Sequence, residues 1–294
     1  MPEVDGPPVE APELRRLAAL GWPGASLPPN PDGVRVVDET VDINYPDEGL
    51  AHLGLDGGRG YWFDHRAQSV VDVLQAATPA RAIWDVGAGA GSMSVRLARA
   101  GYEVVSVEPQ RLGAAAIAEL QCSAVFCGSL ESLGLPAHAI GIIGLFDVIE
   151  HLDDPGALLA EVTRVLEPAG VVVVTVPAFP LLWSNADDVA GHQRRYTRRS
   201  LDDFMEACGL TRVSSAYLFA SLVPPAIVLR TIPYRLGRRR TPAEVMAATQ
   251  RRLAPKPRVD AAARRVFAAE RTVARHVPLP AGLSVVGAYR TPAA

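Results

Sequence analysis

The sequence predicts an α/β fold built on a doubly wound, mostly parallel seven-stranded sheet, with an antiparallel last strand and a helical lid inserted before it. Three observations predict it. Short apolar runs alternate with helical stretches from residue 61 to residue 178, and such alternation calls for right-handed crossovers between parallel strands. The runs, VVVVTVPA above all, are continuous rather than alternating, as befits strands covered on both faces. The first run leads through Gly87, Gly89 and Gly91 into a helix, a bend that lets backbone approach a ligand closely.

Residues 1–33 are dense in Pro and Gly, which block helix and ladder hydrogen bonds alike. A disordered tail is expected there, with at most a short helix at Pro12 to Leu20, and residues 34–294 form one domain. YWFDHRAQSVVDVLQAA (61–77) spaces its apolar residues as a helix across the edge of the core. RAIWDV, YEVVSVEP, SAVFCGS, IGIIGLFDVIEH and VVVVTVPA read as strands. GSMSVRLARAG, RLGAAAIAEL and DPGALLAEVTRVL read as the helices between them. FPLLWSNADDVAGHQRRYT (179–197) reads as a long loop, because Pro, Asn, Asp and Gly interrupt every period. Ser200 is the expected N-cap of LDDFMEAC, a helix closed by Gly209. TRVSSAYLF and LSVVGAYR complete the sheet, and the stretch of about 218–280 between them forms the lid, apolar first and basic afterwards.

With 294 residues, 49% hydrophobic and 21% charged, the chain can bury a full core. No apolar run reaches the roughly 18 to 20 residues that span a bilayer. MPEVDGPPVEAPELRR has neither a basic start nor an apolar centre, so it does not read as a secretory signal. Cys122, Cys127 and Cys208 lack metal-ligand spacing and are odd in number, so a reduced, cytoplasmic setting is expected. The net charge of -3 hides an asymmetry: 13 Arg or Lys stand against three acids between Arg230 and His276. Aromatics do not interleave with these basic residues and the remainder is acidic, which argues against nucleic acid as a partner.

The glycine bend lacks Gly-Lys-Ser/Thr, so no lysine can hold a β- or γ-phosphate and a P-loop is excluded. Glu108, 21 residues after Gly87, ends the next strand, where an acid accepts hydrogen bonds from both ribose hydroxyls of an adenosine. A dinucleotide dehydrogenase is the alternative for the bend alone; its motif usually sets the last glycine one residue further on.

D-V-G-A-G-A-G, V-E-P, GLFDVIEHLDDP and RVLEPAGVVVVTVP together resemble the class I S-adenosylmethionine-dependent methyltransferase family, small-molecule branch, over about residues 60–215. The resemblance implies a Rossmann-like fold and S-adenosyl-L-methionine as cofactor. Asp85, Gly87, Ala88, Gly89 and Gly91 would shape the bend beside the methionine part, and Glu108 with Pro109 would hold the ribose. The family's usual acid at the end of the third strand is missing. The Ser129 hydroxyl and Leu130 amide would face the adenine instead, with Glu131 as the alternative acid. Tyr61 and Phe146 would flank the cofactor, and Arg66 would reach its carboxylate.

His192, in GHQRRYT, is the first candidate for a catalytic base, with His151 behind it, since imidazole exchanges protons near neutral pH. Asp147, Glu150 and His151 admit a structural role at a helix start, a proton-handling role, or a metal site with His192; no metal is assigned. The expected activity is methyl transfer to O, N or C of a small-molecule or lipid-like acceptor, anionic acceptors included. The apolar-then-basic lid admits three readings: a helical cap with a solvated basic face, a roof whose arginines face a phosphorylated acceptor, and peripheral contact with an anionic membrane surface. The alternative is a non-catalytic cofactor-binding module acting through the basic lid.

Overall fold

In a computed structural model the chain is described over residues 11–38, 60–253, 257–274 and 276–293. The strands are β1 (Val34–Val36), β2 (Ala82–Val86), β3 (Glu103–Glu108), β4 (Ala124–Cys127), β5 (Ile140–Phe146), β6 (Leu166–Pro177), β7 (Thr211–Leu218) and β8 (Ser284–Arg290). They form one sheet in the order β1-β4-β3-β2-β5-β6-β8-β7. All neighbours are parallel except β8, which runs antiparallel between β6 and β7.

The doubly wound expectation holds, with one strand more than the seven expected. The extra strand is β1, whose three residues VRV are too short to show a period. It is set up by Asn30, whose side-chain oxygen accepts from the Asp32 and Val34 amides at 3.0 Å.

Strand order reverses between β2 and β5, and in open parallel sheets ligands bind at the carboxyl ends of strands flanking such a reversal. β2, β3, β5 and β6 are apolar because both faces are covered. Val105, Ile143, Val172 and Val174 are fully buried.

The N-terminal segment departs from the expected disordered tail. Helix α1 (Pro12–Ala19) does form, but it buries Leu14 and Leu17 in the sheet's core. Trp22 follows and packs on Trp84 and Phe126 with ring centroids 5.9 and 5.5 Å away; its indole N–H donates to the Leu133 carbonyl at 2.8 Å. Proline density therefore marks a compact, turn-rich strap from residue 11 onward. The Pro/Gly residues before it lie outside the described residues.

Helix α2 (Tyr61–Ala77) lies against the other side of the sheet through Val70 and Leu74. The crossovers are α3 (Ser94–Arg99), α4 (Arg111–Glu119) and α5 (Pro155–Val165). The stretch expected to be one long loop contains α6 (Asn185–Ala190). Ser184 and Asp187 form a reciprocal capping box, the Ser184 amide donating to the Asp187 carboxylate at 2.8 Å, and Gly191 closes the helix at φ +71°.

Helix α7 (Arg198–Ala207) is capped by Thr197 rather than Ser200. Ser200 sits one turn in and returns the bond, its Oγ accepting the Thr197 amide at 2.9 Å. The lid comprises a bent helix of four contiguous segments (Ala220–Leu222, Val223–Ala226, Ile227–Thr231, Ile232–Arg235), then α8 (Pro242–Leu253) and α9 (Pro257–Ala274). No helix among the described residues is long and apolar enough to cross a membrane.

Candidate functional site

A cavity of about 810 Å³ opens at the carboxyl ends of β2, β3 and β5, between the glycine bend and the lid. Gly87, Ala88 and Gly89 line it, with Glu108 and Pro109, Ser129 and Leu130, Tyr61 and Arg66, Phe146, His151 and His192. Of the sequence-predicted residues, Asp85, Gly91 and the buried Glu150 stand back from it.

The bend needs glycine for two separable reasons. Gly87 has φ +72°, a left-handed conformation costly to other residues, and a Cβ there would lie 2.7 Å from Val148. Gly91 has φ +77°, and its Cβ would press on Leu120 at 2.9 Å, so it sets the approach of helix α4. Asp85 braces the bend from below. It is buried and accepts from the Ser94 hydroxyl at 2.5 Å, tying β2 to α3, and burial lifts its pKa to about 6.

Glu108 ends β3 facing the bend. Its carboxylate accepts the Gly89 amide at 2.7 Å and the Gln110 amide at 2.9 Å. Burial pushes its pKa up to about 7 despite those two donors. Each carboxylate oxygen retains further acceptor capacity for a hydroxyl. Ser129 is less free than expected: its hydroxyl accepts the Ser132 amide at 3.0 Å while its own amide donates to the Ser132 hydroxyl. The Leu130 side chain is buried beneath.

Arg66 is also committed. Its Nη2 donates to Asp147 and to the Thr175 hydroxyl, joining the ends of β5 and β6 to α2. Thr175 carried no sequence signal, because a lone Thr in VVVVTVPA reads as a strand residue. Trp62 stacks on Phe219 with centroids 3.8 Å apart, and Tyr61 meets Phe267 at 5.6 Å. The aromatic block thus packs the lid and lines the cavity at once.

At the cavity wall, His192 shares a hydrogen bond of 2.8 Å between its Nδ1 and Asp187. Arg195 donates to the same carboxylate at 2.6 Å and to the Ala178 carbonyl at 2.8 Å. Burial alone would raise the Asp187 pKa, but the bonds from His192 and Arg195 hold it below its ordinary value. The ion pair is therefore buried rather than on the surface. Asp187 follows the Ser-x-x-Asp spacing of a capping box, a signal that was present in the sequence.

His151 lies edge-on to His192 with ring centroids 4.8 Å apart; burial and the neighbouring imidazole lower its pKa to about 4. Glu150 is fully buried beside them, and neither carboxylate oxygen has a hydrogen-bond partner. Burial and the Asp147 charge hold its pKa well above the usual range. One ligand atom each from Glu150, His151 and His192 fall within 4.8 Å of one another. Arg194 points elsewhere, donating to the Leu152 and Asp153 carbonyls at 2.8 and 2.9 Å.

Residues 84–174 match the family model described as a methyltransferase domain. A probable S-adenosylmethionine-dependent methyltransferase of Mycolicibacterium smegmatis is 27% identical over 152 residues, 51% of this chain and 59% of the relative. A probable S-adenosylmethionine-dependent methyltransferase of Mycobacterium tuberculosis is 30% identical over 118 residues, 40% of this chain and 43% of the relative. The chain spans about half the length of the curated relatives it matches. The solved structure of Haemonchus contortus phosphoethanolamine N-methyltransferase 2 with S-adenosyl-L-methionine superposes with a TM-score of 0.51 at 14% identity, covering 85% of this chain and 58% of that one; it speaks to the fold.

The matched stretch begins in β2 and ends in β6, and so contains the bend, Glu108 and both strands that flank the crevice. Sequence and fold thus coincide on that unit: over residues 84–174 the chain is similar to the methyltransferase-domain family and to probable S-adenosylmethionine-dependent methyltransferases.

Proposed function

We propose that the chain transfers a methyl group from S-adenosylmethionine to O, N or C of a small-molecule or lipid-like acceptor. The observation that carries this reading is Glu108: a buried acid at the end of β3, 2.7 Å from the Gly89 amide, at the spacing that pairs with a ribose diol. The bend at Gly87 to Gly91 passes the methionine part, and Ser129 with Leu130 borders the adenine. Tyr61 and Phe146 flank the cofactor. Arg66, engaged by Asp147, shapes the floor of the cavity.

The cofactor supplies a methyl carbon already activated on a sulfonium. The protein's part is alignment and exclusion of water. His192 keeps Nδ1 on Asp187, leaving Nε2 to take a proton from an O–H or N–H acceptor. Asp187 then stabilises the imidazolium. His151, held neutral by burial, backs it. Arg230 lines the cavity beneath the lid and favours an acceptor with an anionic group.

The unpartnered Glu150 favours a second arrangement of the same chemistry, with a divalent cation among Glu150, His151 and His192 and Asp187 orienting His192 from behind. Turnover after dialysis against a chelator, with and without metal add-back, separates the two. The parent proposal is tested by mass spectrometry of cell extract incubated with the protein and isotopically labelled methyl donor. A labelled product that requires His192 supports it. Cofactor binding with no labelled product in any extract supports the non-catalytic module.

A further inference from the structure

The lid helix carries a second feature that cofactor binding does not use. Its inner side is tied down. Glu270 of α9 accepts the Ala220 and Ser221 amides at 3.0 and 2.9 Å, fixing the start of the helix. Thr231 is buried against the Leu182 carbonyl, and the Tyr234 hydroxyl donates to Asp188 at 3.2 Å. Asn185 clamps the end, donating to the Arg238 carbonyl at 3.1 Å and accepting the Arg240 amide at 3.2 Å. Pro233 lacks an amide donor, and the helix widens to a π-turn over Ile227–Thr231 just before it.

That outer face is apolar. Val228, Leu229, Ile232 and Leu236 are 59, 64, 45 and 75% exposed and recur at helical spacing on one side. Leu181, 60% exposed, adjoins them, since Arg235 donates to its carbonyl. Isolated exposed leucines are ordinary, but a contiguous stripe on a rigidly held helix marks a contact surface. Directly beyond it come the exposed residues Arg238, Arg239 and Arg240. The wider segment from Arg230 to His276 sets 13 Arg or Lys against three acids.

The occupant follows from these two properties together. An apolar stripe beside clustered arginines matches the boundary between acyl chains and anionic headgroups. A second copy in a two-fold contact would bring the same patch against itself and oppose the two arginine clusters. The stripe also borders the cavity: Pro225 and Leu229 belong to its lining, so a lipid-facing lid places the mouth where an apolar acceptor would enter.

We infer that the lid helix is a docking surface for an anionic lipid bilayer, seated by Val228, Leu229, Ile232 and Leu236 and held by Arg238, Arg239 and Arg240. This rests on the lipid-like acceptor of the proposed function, and its test reads binding to vesicles independently of turnover.

Full-length protein is sedimented with vesicles of phosphatidylcholine alone or of phosphatidylcholine with phosphatidylglycerol, at low and physiological salt. The expected result is at least tenfold stronger partition onto the anionic vesicles. The V228S/I232S/L236S variant, which alters none of the cavity-lining residues, loses at least fivefold in partition while its melting temperature and cofactor affinity stay unchanged. The R238S/R239S/R240S variant loses the preference for anionic lipid. Wild-type protein that ignores both vesicle types overturns the inference, as does partition unaffected by the apolar triple variant. A dimer in light scattering that V228S/I232S/L236S converts to monomer, with no vesicle binding, assigns the stripe to a second copy and also overturns it. Loss of cofactor binding in calorimetry would instead remove the proposed function and leave the vesicle result standing.

Discussion

Asp187 and His192 meet at 2.8 Å, an anionic carboxylate from a capping box against the Nδ1 of an imidazole on the rim of the cavity. The carboxylate that caps helix α6 with one oxygen thus holds the Nδ1 of His192 with the other, and under the proposed function Nε2 is the nitrogen turned toward the acceptor. His192→Ala is expected to lower turnover by about 10²- to 10⁴-fold, the range of a lost general base, with cofactor affinity within twofold of wild type. Asp187→Asn keeps the side chain's size but removes the carboxylate that pairs with Nδ1, so turnover should fall while cofactor affinity stays within twofold of wild type. Melting curves of both variants check that the fold survives.

Burial holds the Glu108 pKa at about 7, so under the proposed function cofactor affinity varies with pH in the physiological range. In that reading the ionised form accepts from both ribose hydroxyls, and the protonated form loses part of that capacity. Affinity is therefore retained above pH 7 and lost as pH falls through it, by up to about tenfold per pH unit for one proton. Calorimetry between pH 5.5 and 8.5 should show this slope in wild type. It should vanish in Glu108→Gln. A wild-type constant flat across the range would contradict it.

Gly87→Ala places a methyl group 2.7 Å from Val148 on a backbone at φ +72°. The left-handed conformation alone costs about 1–2 kcal/mol. A lower unfolding free energy and weaker cofactor binding are expected, with part of both recovered by Val148→Ala. Full recovery would mean that sterics alone, and not the backbone angle, disfavour the substitution.

Trp22→Ala is expected to cost about 3–5 kcal/mol in urea unfolding, the range for a large aromatic removed from a packed core. The indole is 3% exposed and joined to Trp84 and Phe126. A change near zero would restore the disordered tail that the sequence alone suggested.

The parallel sheet was legible because burial on both faces leaves runs such as VVVVTVPA, and the meeting of the glycine bend with Glu108 because the two stand at a fixed spacing. What sequence missed was structure whose signals are short or borrowed from other segments. Strand β1 has three residues, and α6 is a single capped turn and a half inside a loop-like composition. Leu17 and Trp22 form core only because the sheet offers a partner, while the prolines around them read as disorder. Likewise the commitment of Arg66 to Asp147 and Thr175 joins three elements far apart in the chain, which no local pattern encodes.

Under the proposed function, adenosine lies between the glycine bend and Glu108. Isothermal titration of the full chain with S-adenosylmethionine and with its demethylated product, alongside Glu108→Ala, tests this most directly. Saturable binding at one site, weakened at least tenfold by Glu108→Ala in a protein that melts normally, is the predicted result. No binding in the wild type, or an affinity that Glu108→Ala leaves unchanged, would contradict it.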